Sequence, residues 1–115
     1  MPFGPHIEVI STPTDSGQVV TVVGDVDLAS APALEAEIGK HHGVDVVVDL
    51  TRVEFIDSAG LVVLIKQHER IRASGAELTL VVSPGPVTRL LELTGLAGAF
   101  PIISSEGPAP KPSTD

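Results

Sequence analysis

The fold is decided by the stretch VDVVVDLTRVEFIDSAGL, residues 44–61. Residues 44–50 are dense in β-branched side chains and predict a central parallel strand, apolar enough to be covered on both faces. Beyond a short connection, apolar and partly apolar residues recur at the spacing of one helical face, namely Leu61, Leu64, Ile65, His68 and Ile71. The pattern predicts a helix that begins at Ser58, and a buried strand followed by such a helix indicates an α/β protein.

Two strands precede this unit. Residues 7–10 mix apolar and polar side chains, the turn-forming residues 12–17 follow, and the β-branched residues 19–24 return as a second strand. The next loop leads to a helix for which Ser30 is the predicted N-cap, with Pro32 in the first turn. Leu34 and Ile38, four residues apart, form its inner face.

After the central unit, Gly75 ends the second helix and residues 76–82 predict a fourth strand. A short third helix starts near residues 83–86, buries Val87, Leu90 and Leu91, and stops at Gly95. Residues 100–103 predict a last edge strand, where a proline is tolerated. The order predicts a mixed β-sheet of four to five strands flanked by three or more α-helices, antiparallel in its first pair and parallel thereafter.

The length of 115 residues fits one domain, which we place at residues 7–103 after an N-terminal extension, residues 1–6. Residues 104–115 predict a disordered proline-rich tail, because they offer no large apolar side chain to offset the entropy of ordering. The chain has neither a secretory signal at its start nor an apolar run long enough to span a membrane. We therefore expect a cytoplasmic protein with no membrane contact.

Composition removes several classes of function. The chain contains no cysteine, which excludes thiol nucleophiles, disulfides and thiolate metal sites. Fifteen acidic residues against seven basic ones give a net charge of -8, which repels the phosphates of nucleic acid and suits a basic protein partner. No phosphate-binding glycine motif is present, so no nucleotide site or other cofactor of its own is expected.

Ser58 lies at the predicted helix start and has two interpretations. Its hydroxyl can cap the helix by accepting a hydrogen bond from a backbone N–H, while Asp57 favours the same end of the helix dipole. The small residues Ala59 and Gly60 also leave the helix start unshielded, so that a kinase can reach the hydroxyl, and capping and phosphorylation are compatible. A phosphate there adds about -1.5 to -2 charges over free N–H groups, altering an interface while the fold survives.

Four separated motifs, in their order along the chain, resemble the STAS domain of bacterial anti-sigma factor antagonists. They are GDVDLASAP at residues 24–32, VVVDL at residues 46–50, FIDSAGL at residues 55–61 and VTRLLELTGL at residues 87–96. The resemblance covers about residues 7–103 and implies a mixed sheet flanked by helices. It also implies that Ser58 is the serine phosphorylated by a partner that is both a kinase and an anti-sigma factor.

The mechanism implied by this resemblance is partner switching. The unphosphorylated antagonist binds the anti-sigma factor serine kinase and frees a sigma factor, phosphorylation breaks that complex, and a PP2C-type phosphatase resets it. The ATP belongs to the kinase. The residues carried over as partner-binding are Asp25, Asp27, Asp57, Ser58, Ala59 and Gly60, although Asp25 and Asp27 could equally be solvated turn carboxylates.

The sequence departs from the family pattern in three places. Ala59 replaces a residue that is often a second hydroxyl, so Ser58 is the only acceptor in its motif. Asp25 stands where glutamate is common, which shortens the reach of that carboxylate. The proline-rich tail replaces a C-terminal helix that many members possess.

Two alternatives to the switch remain. One is a STAS scaffold in another regulatory or transporter complex, with Ser58 only a cap. The other is a hydrolase, but Ser58 lacks the first glycine of the Gly-x-Ser-x-Gly turn, and His68 lies ten residues, roughly 15 Å, along the helix. His68 is predicted to lie on the helix flank or to be partly buried. His41 and His42 have no carboxylate at ligand spacing on a shared face, so we predict no metal site, no catalytic residue and no enzyme.

Overall fold

The computed structural model describes residues 7–105. Its elements in chain order are β1 (Ile7–Pro13), β2 (Gly17–Gly24), α1 (Ala31–Gly39), β3 (Asp45–Arg52), α2 (Ser58–Ala73), β4 (Leu78–Val82), α3 (Pro86–Leu93), a 3-10 turn (Leu96–Gly98) and β5 (Ile102–Ser104). The strands form one sheet in the order β1-β2-β3-β4-β5, antiparallel between β1 and β2 and parallel elsewhere. The predicted mixed sheet with three helices is confirmed, and β3 is its central strand.

The ends of the helices follow local backbone chemistry. Gly75 and Gly95 adopt φ values of 90° and 79°, the left-handed conformation that a glycine accepts after a helix. Both helix ends were predicted correctly from these glycines. None of the helices in residues 7–105 is both long enough and apolar enough to cross a membrane.

The hydrophobic core lies on one face of the sheet. Alternate residues of β2, β3 and β4 point into it, and the helices contribute their buried positions; the largest fully buried members are Leu34, Ile38, Leu50, Leu64, Ile71, Leu78, Leu80 and Leu91. On the opposite face Val47 is only partly buried, and Ile10 and Ile103 are more than half exposed. The expectation that β3 is covered on both faces is therefore wrong, because all three helices pack on the same side. Its valines reflect strand propensity as well as burial.

The predicted terminal segments are only partly visible. Ser104 completes β5, and the backbone N–H of Ser105 donates to the carbonyl of Val82 at 2.6 Å, so the sheet reaches the start of the predicted tail. The N-terminal extension, residues 1–6, and the remainder of the predicted tail, residues 106–115, lie outside the described residues.

Candidate functional site

At the start of α2, the residue that caps the helix and the candidate phosphorylation site are two different residues. Asp57 is the N-cap, and its Oδ1 accepts hydrogen bonds from the backbone N–H groups of Ala59 at 2.9 Å and Gly60 at 3.3 Å. Ser58 follows as the first helical residue, is exposed, and makes no side-chain hydrogen bond to any residue in 7–105. The interpretation of Ser58 as the helix cap is therefore wrong. Its hydroxyl is free because Asp57 performs that task.

Gly60 is required for close packing of α2 against the core, which is not the role that the sequence predicted. It is buried, and a Cβ added to it would lie 2.6 Å from Cγ1 of Val26 and 2.6 Å from Cγ1 of Ile56. The missing side chain therefore allows α2 to approach the core beneath it. The prediction that Gly60 opens the surface around Ser58 is wrong, since the space it vacates is filled by the protein's own side chains.

The loop after β2 is joined directly to the residues before α2. The backbone N–H of Val26 donates to the carbonyl of Phe55 at 2.8 Å, and the N–H of Asp57 donates to the carbonyl of Val26 at 3.0 Å. These two bonds fix the loop that carries Asp25 and Asp27 beside the start of α2. Sequence segments about thirty positions apart are thus hydrogen-bonded to each other.

Ser30 holds this loop in shape. Ser30 is 1% exposed, and its Oγ accepts a hydrogen bond from the backbone N–H of Asp27 at 2.8 Å. The hydroxyl proton has two acceptors within reach, the carbonyl oxygen of Asp25 at 2.9 Å and Oδ1 of Asp27 at 3.0 Å. It occupies the N-cap position of α1 but makes no capping bond to that helix. The predicted capping role of Ser30 is therefore wrong, because its hydroxyl is consumed by the loop.

The two loop carboxylates are not equivalent. Asp27 Oδ1 accepts from the backbone N–H groups of Ala29 at 3.1 Å and Ser30 at 3.0 Å, and the bonds from the backbone and then the hydroxyl of Ser30 lower the pKa of Asp27 below its ordinary value of 3.8. Asp25 is exposed, and its carboxylate has no hydrogen-bond partner within residues 7–105. Asp27 therefore shapes the loop, whereas Asp25 is available to a partner.

Three apolar side chains around Ser58 were missed by the sequence analysis. Leu28 is 77% exposed, Phe55 is 51% exposed and Val62 is 49% exposed. Leu28 belongs to the loop, Phe55 to the connection bonded to it, and Val62 lies one helical turn after Ser58 on the same face of α2. We call Asp25, Leu28, Phe55, Ser58 and Val62 the Ser58 surface. For Val62 a signal existed, since it falls out of phase with the buried positions Leu61 and Leu64.

The histidines lie elsewhere. His68 is 8% exposed and packs edge-on against Phe100, with 4.9 Å between ring centroids, so it is buried more completely than predicted. His41 Nε2 lies 2.8 Å from Ser11 Oγ, whose hydroxyl also lies 2.6 Å from Glu37 Oε2. The statement that no carboxylate shares a face with His41 is therefore wrong. Within residues 7–105, no three histidine or acidic side chains are placed to hold a metal ion together.

Comparison with known proteins gives this arrangement a context. The family model of the STAS domain matches residues 7–109. The chain is 31% identical over 104 residues to the anti-sigma-B factor antagonist of Listeria monocytogenes, covering 88% of this chain and 90% of that protein. It is 37% identical over 92 residues to the anti-sigma-F factor antagonist RsfB of Mycobacterium tuberculosis, covering 76% and 73%. A crystal structure of an anti-sigma factor antagonist from Mycobacterium paratuberculosis matches with a TM-score of 0.74 at 33% identity, over 84% of each chain.

Proposed function

This chain belongs to the STAS-domain family, and from that premise we propose that it is an anti-sigma factor antagonist switched by phosphorylation of Ser58. Unphosphorylated, it binds an anti-sigma factor that is also a serine kinase, and a sigma factor is released. Transfer of phosphate to Ser58 breaks the complex, and a PP2C-type phosphatase restores it. The observation that supports this proposal best is the exposed, unbonded hydroxyl of Ser58 beside a cap made by Asp57.

In the proposed phosphorylation this chain supplies only the hydroxyl that attacks ATP. Ser58 Oγ attacks the γ-phosphorus of ATP held by the kinase, ADP leaves, and the hydroxyl proton passes to a base. No carboxylate or imidazole within residues 7–105 is hydrogen-bonded to Ser58, and in this proposal the kinase supplies the base. The chain is then a substrate and a binding partner, with no catalytic residue and no cofactor of its own.

The added phosphate changes the surface more than the fold. It stands at the N-terminal end of α2, where the helix dipole favours negative charge, and Asp57 still supplies the cap. The carboxylates of Asp57 and Asp25 already make this region acidic, and the phosphate adds about -1.5 to -2 charges to it. A partner surface matched to the unphosphorylated form therefore meets excess charge, while the domain stays folded.

The apolar part of the Ser58 surface supplies contact area for the kinase. Leu28, Phe55 and Val62 are all about half exposed or more, so their burial by a partner would contribute favourable free energy to the complex. Asp25 adds an unpaired carboxylate that suits a basic residue of the partner. Truncation of Phe55 or Leu28 to alanine should weaken the complex without altering the core.

Phosphorylation at Ser58 is tested by intact mass after incubation with a kinase-type anti-sigma factor and ATP. Ser58→Ala is compared with the matched control Ser16→Ala, because Ser16 is an exposed serine in the turn at the opposite edge of the sheet. We expect wild type and Ser16→Ala to gain one phosphate and Ser58→Ala to gain none. A phosphate on Ser58→Ala would move the site elsewhere; none on wild type would favour the STAS scaffold in another complex.

A further inference from the structure

A concave site that contains none of the residues of the Ser58 surface lies between the C-terminal half of α2 and the 3-10 turn. Its volume is about 560 Å³, in the range of small-molecule binding sites. Ile65, Leu96 and Phe100 provide apolar lining, and His68, Glu69 and Arg72 provide the polar groups. We call it the α2 groove. His68 lies ten residues after Ser58 on α2, roughly 15 Å along the helix, so a ligand bound to His68 does not contact Ser58.

His68 is the feature that indicates a ligand. Its side chain is more than nine-tenths buried and borders the α2 groove, yet it makes no hydrogen bond to any residue within 7–105. A neutral imidazole has one N–H donor and one acceptor, and a buried polar group without a partner is costly. Phe100 packs against the ring but offers no hydrogen-bonding atom. The polar atoms of His68 are therefore suited to a group that enters from the groove.

Arg72 is placed to act with His68. It lies four residues later and so on the same face of α2, and its guanidinium has no ion pair or hydrogen bond within the described chain. Other cations of α2 are occupied: Lys66 lies 3.5 Å from Glu35, and Arg70 donates to Gln67 and to the carbonyl of Ile38. An arginine beside an unpartnered histidine forms a pair of donors suited to an anion.

We propose that the α2 groove binds a small organic carboxylate with a flat apolar body. The carboxylate accepts hydrogen bonds from the ring N–H of His68 and from the guanidinium of Arg72, and the apolar body lies against Ile65, Leu96 and Phe100. Glu69 stands at the same rim and repels the ligand's charge, so it limits affinity. This site does not depend on the function proposed for Ser58.

The test uses the full-length protein labelled with nitrogen-15 and titrated with benzoate, followed by backbone amide shifts in NMR spectra. We expect saturable shifts confined to residues 65–73 and 96–100, and benzoate should bind at least ~10-fold more tightly than its neutral analogue benzamide. Arg72→Gln should weaken benzoate binding by a similar factor, while Arg89→Gln, which removes an exposed arginine of α3, should leave it unchanged. Glu69→Gln should strengthen it.

The role of His68 is resolved by a pair of variants. His68→Gln retains a side-chain N–H and should keep measurable binding, whereas His68→Phe preserves an aromatic ring against Phe100 but removes the donor and should lose it. Absence of saturable shifts, equal affinity for benzamide, or full affinity in Arg72→Gln would overturn the proposal. So would weaker benzoate binding in Glu69→Gln, because the Glu69 carboxylate would then support the bound ligand instead of repelling its charge.

Discussion

Replacing Gly60 with alanine should destabilise the protein, although alanine is the better helix former. The new Cβ would lie 2.6 Å from Cγ1 of both Val26 and Ile56 and 2.9 Å from Cδ1 of Ile56, closer than such atoms approach in proteins. Neither neighbour can move aside easily, because Val26 is fully buried and Ile56 is 3% exposed. Inserting a methyl group into a packed core costs about 1–3 kcal/mol, against a helix-propensity gain of about 1 kcal/mol. We expect a net loss of up to about 2 kcal/mol.

Gly39→Ala is the matched control, because Gly39 is also helical but has no heavy atom within 4 Å of an added Cβ. That variant should be as stable as wild type or gain up to about 1 kcal/mol. Both are measured by urea denaturation followed by far-ultraviolet circular dichroism, since the chain has no tryptophan or tyrosine to report by fluorescence. Gly60→Ala equal to or more stable than wild type would refute the packing role assigned to Gly60.

Three further predictions concern the cap of α2, the buried hydroxyl of Ser30 and the hydrogen bond between Ser11 and Glu37. Asp57→Ala should cost about 1 kcal/mol of unfolding free energy through loss of the α2 cap, whereas Ser58→Ala should stay within about 0.5 kcal/mol of wild type; equal losses in urea denaturation would contradict the division of roles. Ser30→Ala should cost about 1–3 kcal/mol, because its hydroxyl is 1% exposed and satisfies backbone groups of the loop; a wild-type melting curve would contradict this. Glu37 has its pKa lowered below 4.5, chiefly by the hydroxyl of Ser11, so its stabilising contribution is present above pH 4.5 and lost as the pH falls through the folded-state pKa. Ser11→Ala should therefore reduce the loss of stability on acidification below pH 4.5, as measured by denaturation at several pH values, and an unchanged acid dependence would count against it.

Much of the fold was predictable because its signals are local. The helical spacing from Leu61 to Ile71, the turn chemistry before β2 and the glycines after α2 and α3 each act within a few residues, and the structure follows them. Such local signals did not predict that all three helices pack on one face of the sheet and leave the other face uncovered by the helices of residues 7–105. Valine favours strands whether or not a helix covers it, so the apolar density of β3 could not distinguish one covered face from two.

The sequence predicted where the candidate site lies but not which of its residues caps α2, which is buried and which is exposed. Both Asp57 and Ser58 are good caps, and the choice depends on which residue has the non-helical backbone, φ -107° and ψ -171° at Asp57. The role of Gly60 depends on Val26, more than thirty residues away, and on Ile56, whose packing against it no sequence spacing reveals. The exposure of Leu28 and Phe55 likewise arises from tertiary placement, since leucine and phenylalanine usually indicate core.

The bonding at the start of α2 is compatible with a folded domain that carries a phosphate on Ser58. Asp57 holds the helix end through Ala59 and Gly60, and this bonding does not involve the side chain of Ser58. A phosphate on Ser58 therefore adds charge to the surface without removing a bond that the fold uses. Had Ser58 been the cap, phosphorylation would have altered the helix end directly.

The most direct test of this account is calorimetric titration of a kinase-type anti-sigma factor with the unphosphorylated protein and with the same protein phosphorylated on Ser58, alongside a thermal melt of each. We expect binding at least ~10-fold weaker for the phosphorylated form, because charge is added to an already acidic surface, with circular-dichroism spectra and melting temperatures nearly unchanged. Equal affinity of the two forms, or loss of the folded spectrum on phosphorylation, would contradict it.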